Sequence, residues 1–407
     1  MKTRVTPVTF RYMLITGGFW MSFCLVSAYA AVFLQHIGFS NSELGLIVAL
    51  GNVGGALLST GLGDWIDRRP KLKHTTVINA LLLVQAAMLV LLRVQPQRGW
   101  VSSVCYVIYM SVLLAVNAIN LDISVRLEQA KMPLNFGVAR SVGSFSFMVL
   151  SIILGMLVEA RSHLVLLYGG LAVVLFQFAG TGVIARDMQY AETHGAARGG
   201  DGGKRSASLI GFIAENRRFS LMLLGVTILF IAHNLDGSFL INEIRALGGD
   251  ESTMGWMAAF QALVEVPVMV FSAWLTRKGT HAQLIRISFV FFVAKMLAYA
   301  LAPSIPVLFA ARLLQAPSYA LYIVLVTPYA SQAVPMKDSA KAQSLLVSVT
   351  NIGAVLAGLA GGVMFDRFDV RTTMLIGTAI CAVGAAIAFF GVEEPVSSSE
   401  LTDAKKR

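Results

Sequence analysis

Six ionisable residues, Asp122, Arg140, Asp236, Glu265, Lys295 and Arg312, stand inside stretches that are otherwise apolar, with Glu243 nearer the end of such a stretch. The central six are three acids and three bases. A carboxylate only accepts hydrogen bonds, an ammonium offers three donors, and a guanidinium offers a planar fork of five. Set in an apolar surrounding, such groups grip hydroxyls or a carboxylate, or hold a proton. An aromatic ring stands near one of them: Phe147 is seven residues, two helical turns, beyond Arg140 and so shares its face.

Spacing suggests which of these groups meet. If the turn in "RLEQAKMPLN" centres on Lys131, Asp122 lies nine residues before it and Arg140 nine after. Two antiparallel helices then bring them to one depth. About Thr280 in "TRKGTHAQ", Glu265 lies fifteen residues before and Lys295 fifteen after. Asp236 and Arg312 would meet if their two helices are neighbours. Either the pairs are structural and fix helix register, or they line a cavity. The structural reading suits Asp236–Arg312 better. The Asp122, Arg140 and Phe147 group and the Glu265 and Lys295 group suit binding and proton handling.

The elements that must carry these residues are apolar runs of helix length. The chain has 407 residues, 56% hydrophobic and only 13% charged, with a mean hydropathy of +0.72; that is about half the usual charged share. Runs of about 20 apolar residues cross the roughly 30 Å hydrocarbon core as helices. Twelve are expected, at 10–35, 42–63, 74–93, 100–122, 135–158, 162–185, 218–243, 252–275, 282–302, 304–331, 339–363 and 370–392. The fold expected is therefore all-α and integral to a membrane. The basic N-terminus has no plausible cleavage site before the first run and reads as an uncleaved span rather than a signal peptide.

A glycine-rich, charged segment separates the sixth and seventh runs and reads as a flexible linker. The domains expected are an N-terminal six-helix half (1–185), a linker (186–217), a C-terminal six-helix half (218–395) and a tail (396–407). With the N-terminus inside, and counting the span ends with the segments they adjoin, 23 Lys and Arg fall on the inner side and 6 on the outer, of 32 in all. That bias puts both termini and the linker in the cytoplasm, at the cytoplasmic (inner) membrane.

Other chemistries find little support. The net charge of +10 is spread between spans and forms no basic face for nucleic acid. Cys24, Cys105 and Cys381 all lie in apolar runs and suggest neither disulfides nor a metal. The linker's "GGDGGKRS" fails the phosphate-loop spacing, with Arg198 and Arg205 at the wrong places. Of six histidines only His233 falls well inside an expected span, while His74 and His163 stand at span ends. No enzyme constellation and no cofactor are expected.

After the second run, "GLGDWIDRRPKLK" resembles the signature loop of the major facilitator superfamily through Gly63, Asp67, Arg68, Lys71 and Lys73, with Pro70 where a glycine is usual. The resemblance implies a cytoplasmic gate formed by Gly63, Asp67 and Arg68. More specifically the chain resembles the lactose-permease type of oligosaccharide–proton symporter. "FGVARSVGSFSF" places Arg140 on that branch's sugar-binding arginine, Asp122 on its sugar-binding glutamate and Phe147 where a tryptophan stacks on the sugar. Lys295 matches a proton-coupling arginine, Glu265 lies within a turn of a substrate-binding glutamate, and Asp236 with Arg312 matches an interhelical pair. His233 and Thr350 stand where a second pair is lost on both sides. In "LLQAPSYALYIVLV", Gln315 replaces the coupling histidine and Ser318 the proton-carrying glutamate.

The expectation is a secondary transporter of a small polar solute, a sugar or glycoside, working by alternating access as a monomer among membrane lipids. Asp122, Arg140, Phe147, Glu265 and Gln315 would bind it, and Glu265 tuned by Lys295 would carry a coupled proton. Without a proton the same device is a facilitator. Drug or metabolite efflux, a nucleoside or aromatic-acid permease, and a non-transporting receptor or scaffold are the alternatives.

Overall fold

The computed structural model describes residues 6–69, 72–194, 209–277 and 279–394. Among the described residues, eleven helices are long and apolar enough to cross a membrane, and a bent pair supplies a twelfth crossing. The pair is α1 (Pro7–Phe23), continued through a π-helical turn to Ala28, and α2 (Ala30–His36), with a 46° bend between them. Then come α3 (Asn41–Asp67), α4 (His74–Val94), α5 (Trp100–Gln129), α6 (Phe136–Ala160) and α7 (Val165–His194). A short α8 (Leu209–Glu215) precedes α9 (Arg217–Ala246), α10 (Glu251–Leu275) and α11 (His281–Leu301). The tenth crossing is α12 (Ile305–Arg312) and α13 (Leu321–Ala333), followed by α14 (Ser339–Arg367) and α15 (Val370–Gly391).

The starts of these helices follow from local chemistry. Ser40 and Glu43 form a capping box at α3, Thr280 and Gln283 another at α11, and Asp369 caps α15. Thr6 caps α1, with Pro7 at the first helical position, where its missing N–H has no partner to lose. Lys131 adopts φ 57° in the α5–α6 turn. Several helices outrun the expected spans. The run expected to end at 122 continues to Gln129, and the one expected to end at 185 continues to His194. Apolar run length marks the hydrocarbon depth, while the helix continues into the polar interface.

Irregularity concentrates in the tenth crossing. Between α12 and α13 the backbone passes through a 3-10 turn (Leu313–Gln315) and a π turn (Ala316–Ala320). Pro317 removes an N–H there, so the regular ladder cannot run through. Within the expected linker 186–217, α7 reaches His194 and α8 starts at Leu209; residues 195–208, which hold "GGDGGKRS", lie outside the described residues, as do Pro70, Lys71 and the tail from 395 onward.

By contact the chain divides into two compact units. One comprises Met1–Lys204, Gly237–Ala259 and Gly358–Arg367; the other comprises Arg205–Asp236, Phe260–Ala357 and Phe368–Arg407. In the first, α1 packs on α6 and α7, α3 on α5, and α4 on α5 and α7. Gly155 of α6 lies against the start of α10, where an added Cβ would stand 2.5 Å from the Glu251 carbonyl oxygen. In the same unit the Asp366 carboxylate accepts from the Asn41 and Ser42 backbone N–H groups at 3.0 and 2.7 Å, a negative charge at the N-terminus of α3. In the second unit α11 packs on α13 and α15.

Candidate functional site

In the first unit, Arg140 projects from the first turns of α6. Its Nη1 donates to Ser144 Oγ, one turn on, at 2.9 Å. Its guanidinium carbon lies 4.0 Å over the Trp20 ring centroid. Trp20 in turn meets Phe147 edge-on, with centroids 6.5 Å apart. Gly143 makes this possible: an added Cβ would collide with the Trp20 indole and stand 3.1 Å from the Thr16 methyl. Cation, hydroxyl and two rings thus form one shelf, and the ring face holds the guanidinium fork in place.

Asp122 takes partners that sequence spacing had not connected to it. Its Oδ2 receives Arg126 Nε at 2.7 Å and lies 2.9 Å from His74 Nε2. The other ring nitrogen of His74, Nδ1, is 2.8 Å from Glu192 Oε1. The His74 side chain is only 3% exposed. It stands at the very first residue of α4 and of the expected span, which is why a search for charges deep inside spans passed it over. A cavity of about 230 Å³ touches His74, Asp122 and, on α3, Ser59, Gly63 and Ile66. Gly63, expected as part of a gate, therefore borders this cavity. Arg68 ends α3 and is exposed; the side chain of Asp67 lies outside the described residues.

In the second unit a buried polar chain crosses four helices. Lys295 of α11 is fully buried. Its Nζ reaches His233 Nδ1 of α9 at 2.9 Å and donates to Gln315 Oε1 at 3.1 Å. An ammonium has no acceptor, so His233 accepts through Nδ1. Gln315 Nε2 then donates to Glu265 Oε1 of α10 at 2.9 Å. The expected Glu265–Lys295 partnership is thus relayed through the Gln315 amide. Gln315 sits in the 3-10 turn and Tyr319 in the π turn that follows. Tyr319 stacks on His233 with centroids 4.7 Å apart. The broken tenth crossing therefore aims both residues into the cluster. Ser318 bonds back to the Leu314 carbonyl at 2.6 Å.

Beside this chain lies the Asp236–Arg312 pair. Arg312 Nη1 donates to both Asp236 oxygens at 2.6 and 2.7 Å, with side chains 1% and 0% exposed. The same Nη1 donates to Gln261 Oε1 at 3.1 Å, and the Tyr299 ring lies 4.1 Å from the guanidinium carbon. Because the Gln261 carbonyl is committed to Arg312, its amide NH₂ remains a donor. Glu265, one turn further along α10, is an acceptor, so the helix carries a donor and an acceptor at neighbouring positions.

Trp20, Ser144, His74, Gln261 and Tyr319 were not singled out by sequence. Two left a signal: Ser144 is four residues from Arg140 and Gln261 four from Glu265, each on the same helical face. Among the described residues no group of three or more His, Cys, Asp or Glu is placed to hold a metal ion.

Residues 12–376 match the MFS_1 like family. Maltose permease of Geobacillus stearothermophilus is 26% identical over 257 residues, covering 62% of this chain and 62% of that protein. Multidrug resistance protein 2 of Bacillus subtilis is 22% identical over 183 residues, covering 45% of each. The matched region thus spans less than two thirds of either relative. A crystal structure of the nucleoside transporter NupG superposes with a TM-score of 0.79 at 14% identity, over 95% of this chain and 100% of that one, which is a likeness of fold. These proteins are named for different solutes, and one fold serves many solutes. The chain belongs to the MFS_1 like family of the major facilitator superfamily.

Proposed function

We propose that the chain carries an uncharged polar solute bearing a flat heterocycle, a nucleoside, by proton-coupled alternating access between its two six-helix halves. The observation that carries this reading is the Gln261–Glu265 pair. A donor NH₂ and an acceptor carboxylate one turn apart complement an edge that offers an acceptor beside a donor, as a nucleobase amide does. The solute is neutral in this reading because Asp236 is already matched by Arg312 and Asp122 by Arg126. Tyr319, in the same unit as that pair and stacked on His233, offers a ring for the base. Arg140, Phe147, Glu265 and Gln315 keep the binding roles expected of them, with Gln261 added. The fold likeness to a nucleoside transporter agrees with this choice.

A sugar meets the same donors and acceptors through its hydroxyls but needs no paired edge. The discriminating experiment is uptake of labelled nucleosides, glycosides and aromatic acids into energised vesicles, with Gln261→Ala beside the unaltered protein. Nucleoside uptake that is competed by other nucleosides and lost in Gln261→Ala is the expected result. Uptake of a glycoside alone would overturn the nucleoside reading, and extrusion of apolar drugs would replace it by efflux. The chain is further proposed to act as a monomer in the cytoplasmic membrane, with both termini in the cytoplasm and Gly63, Asp67 and Arg68 at the inner gate.

A further inference from the structure

The imidazole of His74 is buried with a carboxylate at each ring nitrogen. Nδ1 lies 2.8 Å from Glu192 Oε1 and Nε2 lies 2.9 Å from Asp122 Oδ2. Carboxylates only accept, so Nδ1 must carry hydrogen to bond Glu192. In a neutral ring Nε2 would then be a bare lone pair facing an anionic oxygen at contact distance. The Nε2 contact is bent away from the ideal hydrogen-bond direction, since it meets the distance and not the angle of one. Charge attraction tolerates that bend, whereas two facing lone pairs repel at any angle. A second proton within the group removes that repulsion.

We propose that His74, Asp122 and Glu192 form a proton-binding site in which the ring holds its second proton between the two acids. The site ties three helices: His74 opens α4, Asp122 lies on α5 and Glu192 near the end of α7. Glu192 also accepts the His74 backbone N–H at 3.3 Å, so it caps α4 as well. Of the elements packed on α4, α5 contributes Asp122 and Arg126, and α7 contributes Glu192, with Asp187 further along and engaged by Arg11 at 2.7 Å. Arg126 shares Asp122 Oδ2 with the ring, and its positive charge works against the second proton that the two acids favour. From α3 the cavity walls Ser59, Gly63 and Ile66 bring no charge. When α5 or α7 shifts, the Nε2 proton passes to water entering that cavity, and the ring is left neutral with Nδ1 still on Glu192. The site lies at the end of the helices expected to face the cytoplasm. Its use in coupling rests on the transport reading above; its occupancy by a proton does not.

The test uses full-length protein in lipid nanodiscs with isotope-labelled histidine, read by nitrogen NMR of the imidazoles. The His74 signal is the one missing in His74→Gln. At pH 8 a free histidine is only about 3% charged, whereas His74 is expected to remain protonated on both nitrogens and to lose one in Glu192→Gln. A single tautomer at pH 7 in the unaltered protein overturns the site, whatever is transported. Transport then tests its use: in His74→Gln, nucleoside exchange is expected to persist while gradient-driven accumulation above equilibrium is lost. Full accumulation in that variant overturns the coupling role. A doubly protonated ring in a protein that moves no nucleoside upholds the site and refutes the substrate reading instead.

Discussion

Neutralising one side of the Asp236–Arg312 pair, by Asp236→Asn, is expected to be among the costliest single polar changes in the second unit. Both side chains are essentially sealed from solvent, and one nitrogen donates to both carboxylate oxygens at 2.6 and 2.7 Å. At that separation the attraction is about 6 kcal/mol at an effective dielectric of ~20, and desolvation offsets much of it. Removing the acid keeps the desolvation cost of Arg312 and discards its anion, so a loss of about 3–5 kcal/mol is expected. An ordinary hydrogen bond between membrane helices averages only about 0.6 kcal/mol, so the size of the effect separates the two accounts. The Gln261 carbonyl and the Tyr299 ring soften the loss without replacing a full charge. The double variant Asp236→Asn with Arg312→Gln removes both charges and should recover much of it, with a coupling energy of about 2 kcal/mol or more. The assay is reversible unfolding from detergent micelles, run as a double-mutant cycle. Single variants that each cost under about 1 kcal/mol and simply add would refute the reasoning.

Arg140→Lys keeps a charge but loses the planar fork and its face-on contact with Trp20, so uptake kcat/KM should fall about tenfold or more, ~1.4 kcal/mol; unchanged kinetics would remove Arg140 from the solute. Gln315→Leu cuts the relay between Lys295 and Glu265, and should alter the pH profile of uptake, whereas a purely structural glutamine would lower the rate equally at every pH. Gly225→Ala drives a methyl to 2.6 Å from the Gly384 carbonyl oxygen of α15 and should destabilise by about 1–3 kcal/mol through overpacking. Gly182→Ala meets nothing within 4 Å and should be neutral or stabilising by up to about 1 kcal/mol; thermal unfolding of the two side by side checks the contrast.

The proposed solute is not written in any one segment. A sugar is suggested by "FGVARSVGSFSF" and Asp122, yet Asp122 spends its Oδ2 on Arg126 and His74. The amide donor of Gln261, which favours a base, becomes visible only once Arg312 is seen to hold its carbonyl. Sequence spacing reads along a helix face and across a short hairpin. It does not read a contact such as Trp20 with Arg140 or His74 with Glu192, where the partners lie 120 and 118 residues apart and meet by helix rotation.

The sequence by itself determined the membrane class, the twelve crossings and most of their limits, because an apolar run long enough for the bilayer has one cheap solution, a helix with every backbone group satisfied. It also marked which buried side chains carry charge, and the reciprocal placement of Asp236 and Arg312. Only the tertiary structure decided which partners those charges take: Gln315 set between Lys295 and Glu265 by the broken tenth crossing, and His74 set between Asp122 and Glu192 by three converging helix ends. The physical reason is that hydropathy is summed over a run and survives any rotation of the helix. A hydrogen bond depends on atoms within about 3 Å, which the packing of neighbouring helices alone brings together.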